Sequence, residues 1–178
     1  MPPLSRHFSL DDLCHAGETW RRLADLAQAR GEGMPVNLPL QPESLASLAG
    51  LAIGILDRVV DRFGAIEITY GFASPSLTRH VDGRIRPKLD QHAASEVGKR
   101  GPVCDRRGAA VDFRVPGLSS RELARFVVAD LPWDRLYFYG DDRPIHVSWH
   151  PVPAHVYVEM RRGPSGRLVP CQRPIASL

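Results

Sequence analysis

From Pro42 to Phe63 the apolar residues Leu45, Leu48, Ala52, Ile55, Leu56, Val59 and Phe63 keep a helical period, and this is the clearest element in the chain. Pro42 stands where a helix start tolerates proline, and Gly64 closes the run. The stretch reads as a core helix, and the segments after it read as the strands of a sheet. Ile66-Glu67-Ile68-Thr69-Tyr70 alternates and ends at Gly71, and Ala109 to Val115 is rich in small and β-branched residues. Leu136 to Tyr139, Ile145 to Trp149 and His155 to Val158 give three more strands. They are split by Gly140-Asp141-Asp142-Arg143-Pro144 and by Pro151-Val152-Pro153.

Ahead of the core helix, Ser9 to Arg30 has helical character. Ser9 and Asp12 are spaced as a capping box, Trp20, Leu23, Ala24 and Ala27 form a stripe, and Gly17 interrupts it. Gly31-Glu32-Gly33 ends that region, and the prolines of Met34 to Pro39 keep the next stretch extended. Ser119 with Glu122 opens a further helix that turns Leu123, Phe126 and Val127 inward. Residues 74 to 108 are polar, rich in glycine and arginine, and show little periodicity. A connection so long inside a compact domain is usually functional or disordered. Helices first, then strands with one helix among them, make an α+β pattern. Residues 1–160 are expected as one domain, with an Arg-, Pro- and Gly-rich C-terminal tail over 161–178.

With 178 residues, 43% of them hydrophobic, the chain can bury a core without disulfides or oligomerisation. The net charge of +3 comes mostly from dispersed arginines, with no run of five basic residues, so nucleic-acid binding is not indicated. Cys14, Cys104 and Cys171 are far apart and lack a C-x-x-C pair, so neither a disulfide framework nor a cysteine zinc site is expected. The N-terminal residues lack the apolar core of a signal peptide, and no segment reaches the length of a membrane helix. A soluble, cytoplasmic protein is the expectation, with no membrane partner. Phosphate-binding glycine loops are absent, and no Ser-His-Asp arrangement stands out.

Three segments place a metal-ligating side chain beside or within a strand: Asp90-Gln91-His92, Ala110-Val111-Asp112-Phe113 and Ile145-His146-Val147-Ser148. Two imidazoles and a carboxylate form a catalytic zinc set, leaving a fourth position for a water whose pKa the metal lowers to about 7. A carboxylate in an apolar strand needs a partner. By spacing alone, a capped turn or a pair with one of the 23 basic residues is favoured for Asp112 over a metal.

The order of these segments resembles the zinc D-Ala-D-Ala carboxypeptidase and phage endolysin peptidases, the group with the Hedgehog-type fold. Thr69-Tyr70-Gly71-Phe72-Ala73-Ser74-Pro75 is similar to the family's Ser-Gly-Tyr-Arg-Ser turn. Gln91-His92 with Gly108-Ala109-Ala110-Val111-Asp112 resembles its His-to-Asp hairpin, and Ile145-His146-Val147-Ser148 resembles its last ligand strand. Phe8-Ser9-Leu10-Asp11-Asp12-Leu13, Asn37-Leu38-Pro39 and the helix ending in Phe63-Gly64 are similar to the phage-type branch. The resemblance covers residues 7 to 150. It implies a central, mainly antiparallel sheet with helices packed on one side, a zinc cofactor, and a peptide or muropeptide substrate.

The resemblance makes His92, Asp112 and His146 the expected zinc ligands. The family spaces the first two seven residues apart, whereas here they are twenty apart, which implies an inserted loop from about Ala94 to Arg106. Asp105 is the substitute if there is no insertion. Ala73 replaces the family's substrate-binding arginine, so Ser74 and Arg79 are the candidate substrate contacts, with Arg84 and Arg86 as alternatives to the arginine. Pro144 and Arg143 occupy the usual positions of the general base, which leaves Asp142 and His150 as the candidate proton acceptors. The implied activity is zinc-dependent hydrolysis of peptides carrying D-amino acids. The alternative is a catalytically impaired member of the fold that serves as a binding module in a larger intracellular assembly.

Overall fold

Ser9 starts the first helix as its spacing to Asp12 predicts. Its hydroxyl accepts from the Asp12 amide at 3.3 Å, and the Asp12 carboxylate accepts from the Ser9 amide at 2.8 Å. The computed structural model describes residues 3–33, 36–80 and 86–178, with the backbone alone for Arg79 and His80. The helical region expected over Ser9–Arg30 is two helices, α1 (Leu10–Leu13) and α2 (Gly17–Ala29). The break has a backbone cause. The carbonyls of Leu13 and His15 accept from the amides of Phe72 and Gly71, both at 2.6 Å, so this segment pairs with another chain segment instead of continuing the helix.

The periodic stretch after Pro42 is helical throughout, as α3 (Pro42–Leu51), a π-helical segment (Ala52–Leu56) and α4 (Asp57–Phe63). Leu48, Leu51, Ala52, Ile55, Leu56 and Val59 are buried, but Leu45, expected on the inner stripe, is exposed. Ser44 takes the inner face of the first turns because its hydroxyl accepts from the Ser95 amide, while Glu96 accepts from the amides of Leu40 and Gln41. That docked loop claims the helix's first turn. Gly50 permits the close approach of helix to sheet, since a Cβ there would lie 2.6 Å from the Trp149 ring.

Strand β1 (Glu67–Tyr70) precedes the long polar region, which forms 3-10 turns and a hairpin of β2 (Val97–Gly98) and β3 (Gly101–Pro102). After it come β4 (Ala109–Arg114), α5 (Ser120–Asp130), β5 (Arg135–Phe138), β6 (Ile145–Trp149), β7 (Val156–Arg162) and β8 (Leu168–Gln172). Six strands form one sheet in the order β1-β4-β6-β5-β7-β8, antiparallel except for the parallel pair β5 and β7. The fold is therefore α+β with a mainly antiparallel sheet, as expected.

The segment from Arg161 onward, expected as a loose tail, is instead ordered on the sheet. Residues Arg161 and Arg162 extend β7, and β8 pairs with it from Leu168 to Gln172. At the very end the Leu178 carbonyl accepts from Arg125 of α5, and the Leu178 side chain is buried. The arginines and prolines that suggested a tail fit here because β8 is an edge strand, where a missing amide and exposed charge are tolerated.

Alternation assigns the two faces of the sheet. Val111 and Phe113 of β4, Ile145 and Val147 of β6, and Leu136 and Phe138 of β5 join Leu51, Leu56, Leu123 and Val127 of the helices in one core. The residues between them, Asp112, His146 and Tyr137, are left on the opposite face. Among the described residues no helix is long and apolar enough to cross a membrane.

Candidate metal centre

Asp112 and His146 are direct cross-strand partners in β4 and β6. Their strand neighbours Val111, Phe113, Ile145 and Val147 are locked into the core, so the register cannot slip without turning apolar residues outward. His92 reaches the same place from a 3-10 turn (Gln91–Ala93) laid over β4. Asp90 caps that turn by accepting from the His92 amide, and the His92 carbonyl accepts from the Ala73 amide at 2.9 Å. The twenty residues between His92 and Asp112 thus do not keep the two side chains apart. The segment between Ala94 and Arg106 contains the β2–β3 hairpin and docks Ser95 and Glu96 on the start of α3, and β4 follows Gly108. There φ is +76°, and a Cβ would lie 2.3 Å from the Trp149 carbonyl oxygen.

His146 Nδ1 lies 2.8 Å from Asp112 Oδ1 and 3.1 Å from His92 Nε2, and His92 Nε2 lies 3.3 Å from Asp112 Oδ1. Both imidazoles are buried, and the Asp112 side chain is 28% exposed, so the carboxylate is the side from which solvent reaches the centre. His92 Nδ1 lies 2.9 Å from the Gly71 carbonyl, which can only accept. Nδ1 therefore carries a proton, and a neutral His92 turns its Nε2 lone pair toward the other two groups. Tyr70 and Tyr137 set their rings edge-on against His92 and His146, at 4.7 and 5.1 Å between centroids.

Three acceptor atoms this close repel unless a proton or a cation sits among them. For His92, burial pulls the pKa down, but the charge and hydrogen bond of Asp112 outweigh it and the net shift is upward. For Asp112, burial pushes up, yet the charges and hydrogen bonds of His92 and His146 hold the carboxyl well below its ordinary range. A metal would replace the shared proton. Ligands about 2.0–2.2 Å from a tetrahedral zinc stand roughly 3.3–3.6 Å from one another, so the three atoms, 2.8 to 3.3 Å apart, need spread by only a few tenths of an ångström, and the two-nitrogen, one-oxygen set suits that ion. His92, Asp112 and His146 are a group able to hold a metal ion. No family model, curated protein or solved structure matches this chain. The donor set and its supports thus carry the assignment alone.

The other expected site residues fall elsewhere. Asp105 is exposed and pairs with Lys88 at 2.9 Å, so His92 and not Asp105 joins the cluster. Ser74 is buried with its hydroxyl against Ser76 at 2.9 Å, and its amide donates to Asn37. The side chain of Arg79 and the whole of Arg84 lie outside the described residues, while Arg86 is exposed. Asp142 is exposed in the β5–β6 turn and lines a hollow with Glu67 and Arg114. His150 ends β6, with Nδ1 held by the backbone of Val152. The structure thus gathers the three expected ligands and, among the described residues, gathers neither Asp142 nor His150 with them.

Sequence reasoning missed the group that holds the ligands in place. Asp134, buried between β4-side and β6-side segments, accepts from Gln91 Nε2 at 2.9 Å, from Ser148 Oγ at 3.2 Å and from the Ala154 amide at 2.7 Å. Gln91 adjoins His92 and Ser148 is two residues from His146, so one carboxylate ties both imidazole-bearing segments together. Asp134→Asn keeps the shape but removes the charge that orders these donors. It is expected to weaken zinc binding about 10- to 100-fold, read by chelator competition. The signal in the sequence was an acidic residue beside an aromatic strand, which has no distinctive spacing.

The same shifts set a pH dependence. His92 has a raised folded pKa, so in the zinc-free protein it contributes stability below its unfolded value of about 6.5, and that contribution is lost as pH rises through the folded value. Asp112 works oppositely: its contribution is present above the unfolded value of about 3.9 and is lost only as pH falls through its lowered folded value. Because zinc needs His92 neutral at Nε2, its apparent affinity is expected to fall about tenfold per pH unit below the His92 pKa. Titrations against a chromophoric chelator over a pH series would measure it.

Proposed function

We propose that this chain is a zinc-dependent peptidase-like protein whose centre is His92, Asp112 and His146 and whose substrates are peptides of the peptidoglycan type, carrying D-amino acids. The observation that carries the reading is the convergence of the three ligand atoms, from three separate segments, with His92 held in the metal-binding tautomer by Gly71. The order of the segments, similar to the carboxypeptidase and endolysin group, supplies the substrate class. When bound, zinc contributes Lewis acidity, polarising a peptide carbonyl and lowering the pKa of water.

The chain's own residues supply the rest of the site. Tyr137 borders His146, and Arg106 Nη1 donates to the Tyr137 hydroxyl at 3.0 Å, which orients it toward the open face. Tyr139 keeps its proton, because burial first and the Asp112 charge second push its pKa far above the ordinary tyrosine value. It is thus a neutral donor for a substrate oxygen. A positioned base contributes about 10² to 10⁴ in rate. Asp142 and His150 stand apart from the ligands, and this favours a second reading, in which the pocket is kept for binding in a larger assembly. Incubating zinc-loaded and chelator-treated protein with a muropeptide panel, with products read by mass spectrometry, tests the choice. Zinc-dependent release of new peptide ends supports the peptidase. Zinc uptake with no turnover across the panel supports the binding module.

A further inference from the structure

One row of cross-strand partners crosses the open face of the sheet: Asp112, His146, Tyr137, Val158 and Gln172, each paired with the next. The first two belong to the metal centre. The other three belong to a cleft of about 630 Å³, bounded also by Arg106, Arg135, Tyr139 and Met160. With strands about 4.8 Å apart, the row runs roughly 14 Å from His146 to Gln172, the length of about four extended residues. The cleft therefore begins at Tyr137, one strand from His146, and leads away from the centre.

The chemistry of its walls is one-sided. Its lining is apolar apart from two tyrosines, a glutamine and two half-buried arginines, and among the described residues no carboxylate lines it. Arg106 uses Nη1 for the Leu89 carbonyl and the Tyr137 hydroxyl, and its other nitrogens have no protein partner among the described residues. The Nε of Arg135 is buried without a hydrogen bond. Asp134 stands 3.6 Å from it, with both oxygens already accepting from Gln91, Ser148 and Ala154. Arg106 has no acidic partner among the described residues, and Arg135 beside it has a single ion pair, with Asp134 at 3.6 Å; next to an apolar floor they select a ligand that brings both an apolar group and an anion with planar, two-oxygen geometry.

We propose that this cleft is the substrate subsite and takes an apolar residue whose adjacent carboxylate is bound by Arg106 and Arg135. Only the link between this binding and catalysis rests on the zinc-peptidase reading. The carboxylate can be a chain terminus or an acidic side chain, and both present the same group to the arginines.

The test is calorimetry on the full-length zinc-loaded protein with racemic N-acetyl-leucine, N-acetyl-leucinamide and N-acetyl-glutamyl-leucinamide, with zinc content measured on each sample. The two carboxylates are expected to bind at least about tenfold more tightly than the neutral amide. Their order tells a terminal from a side-chain carboxylate. The double variant Arg106→Gln/Arg135→Gln should erase the preference while keeping its zinc, and Val158→Trp, which fills the floor, should weaken all three ligands. Thermal unfolding checks that each variant is folded. Equal affinity for acid and amide would overturn the proposal. So would a preference that survives the double variant, because the carboxylate would then be binding the metal. A carboxylate preference in protein that takes up no zinc would keep the subsite and remove the zinc reading, so the two failures are distinguishable.

Discussion

His146→Ala is expected to abolish stoichiometric zinc binding, with affinity reduced by more than about a hundredfold, a larger loss than removal of a supporting group gives. The reason is geometric. His146 Nδ1 is the atom closest to both other ligand atoms, at 2.8 Å from Asp112 Oδ1 and 3.1 Å from His92 Nε2. Without it, one buried imidazole and one carboxylate remain, which is too few donors for a tight zinc site. Asp112→Ala should act similarly and should also return the His92 pKa toward, or below, its ordinary value, because burial would then act unopposed by that charge. Asp105→Ala should leave zinc uptake unchanged, since that carboxylate pairs with Lys88 at the surface. Metal analysis of the dialysed variants reads all three outcomes.

The second large effect concerns the scaffold. Phe113 is fully buried on the core face of β4, directly after Asp112 and paired across the sheet with Ile145. Phe113→Ala deletes a ring from a packed cluster that includes helix residues as well as strand neighbours, and the protein can collapse onto the gap only in part. A loss of about 3–5 kcal/mol is expected, read by denaturant unfolding. A zinc-loaded sample should recover part of this stability, by an amount that grows with the logarithm of free zinc, because the ion binds the folded form only. No stabilisation of the variant by zinc would show that its ligands no longer assemble into the site.

Much of the scaffold was legible because its signals are local. The Ser9–Asp12 spacing, the periodicity after Pro42 and the alternation in β4 and β6 each depend on neighbours a few residues away. The ligand strands were read correctly for the same reason, since Asp112 and His146 interrupt apolar alternation. What escaped was non-local. Nothing in Cys14-His15-Ala16 announces that Leu13 and His15 pair with Phe72 and Gly71, so the interruption expected at Gly17 lies instead at Cys14–Ala16, and Gly17 starts α2. The exposure of Leu45 follows from Ser95 and Glu96 docking on the helix start, about fifty residues downstream. Strand β8 lacks an alternating pattern because it is an edge strand, and its arginine- and proline-rich flanks resembled a tail. The strand around Tyr137 divides between the faces: Leu136 and Phe138 pack inward while Tyr137 and Tyr139 line the cleft. Asp134 was invisible for a related reason, since its three partners come from three distant segments.

Crystals soaked in zinc and measured on both sides of the zinc absorption edge test the central claim most directly. The account predicts an anomalous peak within bonding distance of His92 Nε2, Asp112 Oδ1 and His146 Nδ1. An absent peak, or one at Asp142, His150 or Asp105 instead, would contradict it.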